Sequence, residues 1–238
     1  MKIVNVSQSE DRLAWLELRK GVVTGTKAKT VAPPKRGNGT PQGIFELLAE
    51  QVAISKDGEP ERDRGLRLEN EALQATAKKY KLNLDLDPGM WLSDDGKLGV
   101  SPDGAEAGKK PTYAVEAKCL DSKNHLQGIL NDVANKKLPR YNPLDSLKIA
   151  TSDFTAQVTQ YFVVNKDLQI VYFTLYDDRI ALDNIVHYVI EIERKDVAEY
   201  VDGQEAYERA ALNQVNEMIQ LLKEIKWATK TNAEKQGQ

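Results

Sequence analysis

A turn that contains proline and glycine, Ser101-Pro102-Asp103-Gly104, lies shortly before an alternating run at 112–118. Proline presets the backbone angle of a turn and glycine accepts a positive φ, so this turn predicts that Asp103 lies where two strands meet. The alternation predicts a strand, in which residues two apart share a face at a spacing of about 6.5 to 7 Å. Glu116 and Lys118 are therefore expected to point to the same side of that strand.

Two carboxylates and a lysine in this arrangement suit a magnesium-dependent phosphodiesterase. Magnesium prefers oxygen ligands, which Asp103, Glu116 and the main-chain carbonyl of Ala117 would supply, with waters completing an octahedron. Lys118 would orient or deprotonate the attacking water and balance the developing negative charge. If two ions bind, their expected separation is about 3.5 to 4 Å. The structural alternative stays open, because Asp-Gly turns are common and Glu-x-Lys on one strand face is usually a solvated ion pair.

A predicted helix at 64–81 places an acidic residue on its apolar stripe. Leu66, Leu73 and Ala77 recur at helical spacing, and Glu69 falls three residues after Leu66 and four before Leu73. A carboxylate buried without a partner is costly, so we expect it to meet a cation, a metal-bound water or an arginine. The alternative is an edge position whose carboxylate reaches solvent.

A second predicted helix, at 152–165, carries an amide on its apolar face. Gln157 lies three residues after Phe154 and four before Tyr161. The amide would hold a water or a phosphate oxygen, although an ordinary buried hydrogen bond is the more frequent role of an inward glutamine.

Near the N-terminus, a capping-box pattern at 7–10 predicts a helix at 8–20, which a glycine-rich loop at 21–26 follows. Arg19, Thr24 and Thr26 would gather around a phosphate, since a guanidinium offers a planar donor fork and such a loop exposes main-chain N–H groups. An amphipathic helix followed by a loop is also a sufficient structural account.

The order of these motifs resembles the phage lambda exonuclease family, the YqaJ-like viral recombinase branch of the PD-(D/E)XK nucleases. The resemblance covers about residues 10–193. The segments that carry it are Trp15, Arg19, Gly21 and Thr24, Leu68-Glu69-Asn70-Glu71-Ala72, Ser101-Pro102-Asp103-Gly104, Val115-Glu116-Ala117-Lys118-Cys119 and Ala156-Gln157-Val158.

The resemblance implies an α/β fold with a central mixed β-sheet flanked by helices, the restriction-endonuclease-like core. It implies that Asp103 and Glu116 bind two Mg²⁺ ions, which Mn²⁺ can replace, that Lys118 serves the attacking water, and that Glu69 and Gln157 complete the pocket. Arg19 would receive a 5'-terminal phosphate.

At the level of function, the resemblance implies 5'-to-3' degradation of one strand of linear double-stranded DNA for phage-type recombination. The expected partners are DNA ends, a single-strand annealing protein and further copies of the chain in a homotrimer. Two alternatives remain at this point: a DNA endonuclease or nickase on the same fold, and a noncatalytic DNA-binding assembly module.

Composition bounds these expectations. The chain has 238 residues, 41% of them hydrophobic, which suits a single domain at 1–227 followed by a disordered tail at 228–238. One cysteine excludes an intramolecular disulfide and a four-cysteine iron–sulfur cluster. No apolar run reaches the length of a membrane span and no signal peptide is evident, so a location in the cytoplasm of a bacterial host is expected.

The formal net charge of −3 is unusual for a protein that binds DNA, because phosphate contacts normally need clustered basic residues. Three such clusters flank the motifs and would line a DNA channel inside an acidic exterior. They are Lys27, Lys29, Lys35 and Arg36; Arg62, Arg64 and Arg67; and Lys136, Lys137 and Arg140.

Further helices are predicted at 41–55, 122–134, 194–201 and 204–227, and strands at 83–92, 97–101, 112–119, 168–177 and 184–193. The segment 131–151 is predicted to be a polar connection that lies over the DNA.

Overall fold

The computed structural model describes residues 1–6, 11–33, 41, 43–44, 47, 62–120, 122–149, 152–180 and 182–224, with the side chains of 62–66 and 122–123 excepted. In chain order, the described elements are β1 (Lys2–Val4), α1 (Arg12–Leu18), α2 (Gly25–Val31), α3 (Arg62–Tyr80), β2 (Leu84–Asp85), β3 (Met90–Leu92), β4 (Gly99–Val100), β5 (Gly104–Glu106), β6 (Tyr113–Lys118), α4 (Ser122–Asn135), a 3₁₀ helix (Pro143–Leu147), β7 (Lys148–Ile149), β8 (Ser152–Asp153), α5 (Thr155–Val164), β9 (Ile170–Tyr176), α6 (Asp183–Val186), β10 (His187–Glu193) and α7 (Arg194–Glu224).

A five-stranded mixed sheet in the order β10-β9-β6-β5-β2 lies at the centre of the fold. Its two middle strands, β6 and β9, are parallel, and the other neighbours are antiparallel. Helices α3, α4, α5 and α7 pack against this sheet. Residues 114–117 of β6 are all buried, as expected for a strand covered on both faces. The predicted α/β class with a central mixed sheet is confirmed.

A smaller three-stranded sheet in the order β1-β3-β4 lies beside the N-terminal helices. Trp91 of β3 is fully buried and packs edge-on against Tyr161 of α5, with ring centroids 6.2 Å apart. Aromatic pairs prefer this edge-to-face geometry, and burial of two large rings contributes substantially to the core. The small sheet is thereby joined to the helix that carries Gln157.

The strand predicted at 83–92 divides into two short strands that belong to different sheets. Gly89 between them has φ +69°, and a Cβ atom there would stand 2.3 Å from the carbonyl oxygen of Val4. Glycine meets both requirements because it has no side chain. The chain therefore turns at Pro88-Gly89, and β3 pairs with β1 instead of extending β2.

The helices predicted at 194–201 and 204–227 form the single helix α7. Gly203 lies between the two predicted helices, but it is exposed and a Cβ atom there would meet nothing within 4 Å. A glycine in an exposed helix position costs only about 1 kcal/mol relative to alanine. Burial of Val201 and Gln204 on either side outweighs that cost.

Local elements account for the remaining differences. Residues 25 and 26, predicted to end the loop at 21–26, begin α2, and the short elements β1, β5, β7, β8, α6 and the 3₁₀ helix were not predicted. Helix α1 is capped by Asp11, whose carboxylate accepts the N–H of Ala14 at 3.0 Å.

The capping box at 7–10, most of the helix at 41–55 and the tail at 228–238 lie outside the described residues. Within the described part of the chain, no helix has both the length and the apolar character needed to cross a membrane.

Candidate active site

The turn acid and the strand pair meet in a hairpin. Asp103 directly precedes β5, which pairs antiparallel with β6 so that Gly104 lies opposite Val115. One carboxylate oxygen of Asp103, Oδ2, accepts the N–H of Ala117 at 2.7 Å. Asp103 is thereby fixed to the part of β6 that carries Glu116 and Lys118, as the sequence predicts.

Glu116 is the centre of the hydrogen-bond network at this site, with 2% of its surface exposed. Its Oε1 pairs with the ammonium of Lys118 and accepts the amide of Gln157 at 2.6 Å. Its Oε2 accepts the hydroxyl of Tyr161. Gln157 and Tyr161 lie one turn apart on α5, so a single helix orients both oxygens of the carboxylate. The amide of Gln157 therefore hydrogen-bonds the carboxylate of Glu116. Glu116 is itself one of the predicted metal ligands.

Glu69 on α3 completes an acidic group with Asp103 and Glu116. Burial raises the pKa of the Glu69 carboxyl, and the charge of Glu116 raises it further. Burial also raises the pKa of Asp103 well above its usual range, again with Glu116 as the next cause. These carboxyl groups are close enough for the ionised form of each to disfavour ionisation of the others.

The ammonium of Lys118 balances only part of this charge. Burial would lower the pKa of Lys118, but Glu116 and Asp103 raise it, and the net pKa lies above the ordinary value. Among the described residues, three carboxyl groups therefore face one ammonium in this partly buried site. Buried negative charge of this kind is stabilised by a hard divalent cation, which the carboxylates of Asp103 and Glu116 suit as ligands.

The donor set for such an ion is sparse. Among the described residues, no group of three or more His, Cys, Asp or Glu side chains converges as metal ligands. The residues that fit an ion are therefore two carboxylates and main-chain oxygen, and the carbonyl of Ala117 stays a prediction. Glu69 acts on the site through its charge.

The predicted phosphate-binding residues also lie together. The guanidinium of Arg19 donates to the hydroxyls of Thr24 and Thr26, at 3.3 Å in each case. The two hydroxyls are 3.1 Å apart. Arg19 is placed 4.2 Å above the ring of Trp15, a cation–π contact that fixes the guanidinium plane.

Two observations place this cluster next to the acidic group. Trp15 lines the same cavity of about 180 Å³ as Glu69 and Asp103. At the start of α2, a Cβ atom on Gly25 would stand 3.2 Å from Cγ of Gln157. The Thr24–Thr26 segment therefore contacts the residue that hydrogen-bonds Glu116.

The basic clusters are only partly available for DNA. Arg67 donates to Glu71 at 2.6 Å and to Asp178 at 3.3 Å. Lys136 forms an ion pair with buried Asp132 at 2.7 Å, which anchors the start of the 136–142 connection. Lys137 and Arg140 are exposed. Lys35 and Arg36, and the side chains of Arg62 and Arg64, lie outside the described residues.

Tyr161 is the site residue that sequence reasoning missed. Its position on the apolar face of α5 predicts a core residue, which is correct for its ring. Its hydroxyl nevertheless reaches Glu116, and burial raises the pKa of that hydroxyl well above its usual value, with Glu116 adding to the shift. The one sequence clue is its spacing of four residues from Gln157.

Comparison with known proteins agrees with this geometry. The YqaJ-like viral recombinase domain matches residues 14–164. The alkaline exonuclease LHK-Exo from Laribacter hongkongensis has a similar fold, with a TM-score of 0.66 and 21% identity over 88% of this chain and 95% of that chain, and its complex with dAMP matches equally well. A phage-related exonuclease from Haemophilus somnus 129PT gives a TM-score of 0.54 and 11% identity over 83% of this chain and 96% of that chain. No curated protein matches the chain in sequence.

Proposed function

The chain belongs to the YqaJ-like viral recombinase domain family, and we propose that it is a magnesium-dependent 5'-to-3' exonuclease. It degrades one strand of linear duplex DNA and exposes a 3' single strand for phage-type recombination. The observation that carries this proposal is the hairpin that brings Asp103, Glu116 and Lys118 together beneath Gln157. The lambda-exonuclease resemblance read from the motifs is confirmed by the family match and by the shared fold.

Each residue of the hairpin has a distinct task in the proposed reaction. Asp103 and Glu116 hold the ion, and Gln157 and Tyr161 keep Glu116 in its binding orientation. Lys118 stays charged through its acidic neighbours and stabilises negative charge as water attacks the phosphodiester in line with the leaving oxygen. A bound magnesium ion would supply Lewis-acid activation of the phosphate and of the attacking water.

The cluster of Arg19, Thr24 and Thr26 supports a role in end recognition. Its guanidinium and two hydroxyls form a donor set suited to the oxygens of a terminal phosphate. Because the cluster contacts Gln157 through Gly25, a 5'-phosphate bound there would lie next to the acidic group. Such a pocket would select 5'-phosphorylated ends.

We propose that the protein acts in the cytoplasm of a bacterial host as a single nuclease domain at 1–227, with two magnesium ions that manganese replaces. A homotrimer around the DNA and a single-strand annealing protein are the proposed partners.

Digestion of matched linear duplexes tests the proposal. The substrates carry 5'-phosphate or 5'-hydroxyl ends, blunt or recessed, and a closed circle of the same sequence is included. We expect magnesium-dependent release of nucleotides from 5'-phosphorylated ends, loss of activity with chelator, and an intact circle. Nicking of the circle would instead indicate an endonuclease, and binding without any cleavage would indicate a noncatalytic module.

A further inference from the structure

A buried polar network joins the C-terminal helix α7 to both halves of the site. Gln204 of α7 is 5% exposed, and Gln160 of α5 and Glu208 of α7 are fully buried. The amide nitrogen of Gln204 donates to Oε1 of Gln160 at 2.8 Å. Polar side chains removed from water in this way are retained only when they are hydrogen-bonded, so the partners of this network are informative.

The network also binds two main-chain carbonyls, each belonging to the residue directly before a residue of the proposed site. Gln204 also donates to the carbonyl oxygen of Ala156 at 2.9 Å, and Ala156 directly precedes Gln157. Gln160 donates to the carbonyl oxygen of Val23 at 3.1 Å, and Val23 directly precedes Thr24. The amide of Gln204 thus holds the backbone just before Gln157, the residue that binds Glu116. The amide of Gln160 holds the backbone just before Thr24, which belongs to the phosphate-binding cluster.

The position of the segment around Val23 depends on hydrogen bonds to its main chain. The N–H of Val23 donates to the carbonyl of Lys97, just before β4, at 3.2 Å, and its carbonyl accepts the N–H of Gly99, the first residue of β4, at 2.9 Å. The carbonyl of Val23 therefore uses both lone pairs, one for Gly99 and one for Gln160. Thr24 begins α2 without a side-chain capping bond, so the contacts of Val23 fix where that helix starts.

Hydrogen counting shows that the network has no spare donor. The amide of Gln204 carries two hydrogens but lies within 3.0 Å of three acceptors, the third being Oε1 of Glu208. Among the described residues, Oε2 of Glu208 has no hydrogen-bond partner. Burial raises the pKa of this carboxyl to about 8, while hydrogen bonds from Gln160 and Gln204 oppose the shift.

We propose that Gln204, acting through Gln160, is a positioning residue. It fixes the position of the phosphate-binding cluster, formed by Arg19, Thr24 and Thr26, relative to the acidic group. This role rests on the proposed exonuclease function and extends it to the C-terminal helix, for which the sequence offers no motif. Loss of the Gln204 amide frees the carbonyl of Ala156 and the side chain of Gln160. Loss of the Gln160 amide frees the carbonyl of Val23 while Gln204 still holds Ala156.

The test uses three glutamine-to-methionine variants, because methionine preserves length and volume without a hydrogen bond. Gln204→Met and Gln160→Met remove the network, and Gln214→Met changes an exposed position of the same helix as a matched control. Steady-state and single-turnover digestion are measured on 5'-phosphate and 5'-hydroxyl duplexes, and thermal unfolding reports the folded fraction. Gln204→Asn, which keeps an amide one methylene shorter, replaces Gln204→Met if that variant does not fold.

We expect Gln160→Met to raise KM for 5'-phosphorylated ends and to lower the phosphate preference roughly tenfold, with a smaller change in kcat. Gln204→Met should lower both the preference and kcat, and Gln214→Met should match the wild type. Folded variants that keep the wild-type preference, or that lose activity equally on both ends, would overturn the role. A wild-type protein that does not degrade linear duplex at all would overturn the proposed function itself.

Discussion

The hydroxyl of Tyr161 donates a hydrogen bond to Oε2 of Glu116, and both side chains are almost wholly buried. The other oxygen of Glu116 is held by Lys118 and Gln157. These three donors use three of the four lone pairs of the carboxylate, so the remaining one, on Oε2, points in a fixed direction. Partners of this kind commonly set the affinity of a ligand for its metal ion.

Tyr161→Phe removes this hydrogen bond and leaves the ring in the core. We expect the magnesium concentration needed for half-maximal cleavage to rise by about 10- to 100-fold, the usual effect of losing a partner of a metal ligand. Magnesium titration of cleavage and calorimetric binding of calcium both measure it. Tyr113→Phe is the control, since the Tyr113 hydroxyl bonds only the main chain of Asn83 among the described residues. Unchanged ion affinity would assign Tyr161 to packing alone.

Lys118→Ala removes the ammonium that pairs with Glu116 beside the other two carboxyl groups. We expect near-complete loss of cleavage with DNA binding largely kept, because the lysine acts on charge that develops during the reaction. Single-turnover digestion and binding to an end-labelled duplex separate the two effects. Lys110→Ala, at an exposed position before β6, should behave as wild type. Wild-type turnover in Lys118→Ala would exclude the lysine from the mechanism.

Arg19→Ala removes the guanidinium that lies between Trp15 and the hydroxyls of Thr24 and Thr26. We expect the preference for 5'-phosphorylated over 5'-hydroxyl ends to weaken, mainly through a higher KM for the phosphorylated duplex. Arg12→Ala on the same helix is the control. If the preference is unaltered in Arg19→Ala, the phosphate pocket lies elsewhere.

Gly25→Ala tests the contact between the two halves of the site. The new Cβ atom would stand 3.2 Å from Cγ of Gln157, which must move by a few tenths of an ångström. We expect reduced cleavage, since the main-chain carbonyl of Gln157 also lies 3.3 Å from the new Cβ atom and limits how α5 can yield. Gly203→Ala, which has open space around its Cβ position, should leave cleavage unchanged. Equal activity in both variants would show that Gln157 tolerates the displacement.

Glu208→Gln tests the buried carboxyl through the pH dependence of stability. Burial raises its pKa from 4.5 to about 8, while hydrogen bonds from Gln160 and Gln204 oppose the shift, as does Arg209, and Glu205 adds to it. Between these values the unfolded chain is ionised but the folded protein holds the proton. Stability therefore falls with rising pH across this window, by about 1.4 kcal/mol for each pH unit, and levels off above the folded pKa.

The glutamine variant lacks this ionisation. Its free energy of unfolding relative to wild type should therefore increase with pH over the same window, as measured by urea denaturation from pH 5 to 9. Glu217→Gln, at an exposed position of the same helix, should show no such trend. A constant difference between Glu208→Gln and wild type at every pH would mean that the carboxyl is ionised throughout.

The sequence predicted those parts of the site that depend on local geometry. A turn beside an alternating strand placed Asp103, Glu116 and Lys118 together, because side chains two apart on a strand must share a face. Helical spacing likewise placed Glu69 and Gln157 on inward stripes. Local reasoning failed around Gly203, where the helices predicted at 194–201 and 204–227 belong to one helix in the structure.

Sequence alone therefore determined the class of fold, the family and the identity of the acidic group with its lysine, because each depends on short-range periodicity or on an ordered set of motifs. Tertiary packing decided which side chains hold that group in place. The bond from Tyr161 to Glu116 spans 45 positions, and that from Gln160 to Val23 spans 137. No local pattern specifies such pairs, because they form only when α5 packs against β6 and against the segment that leads into α2.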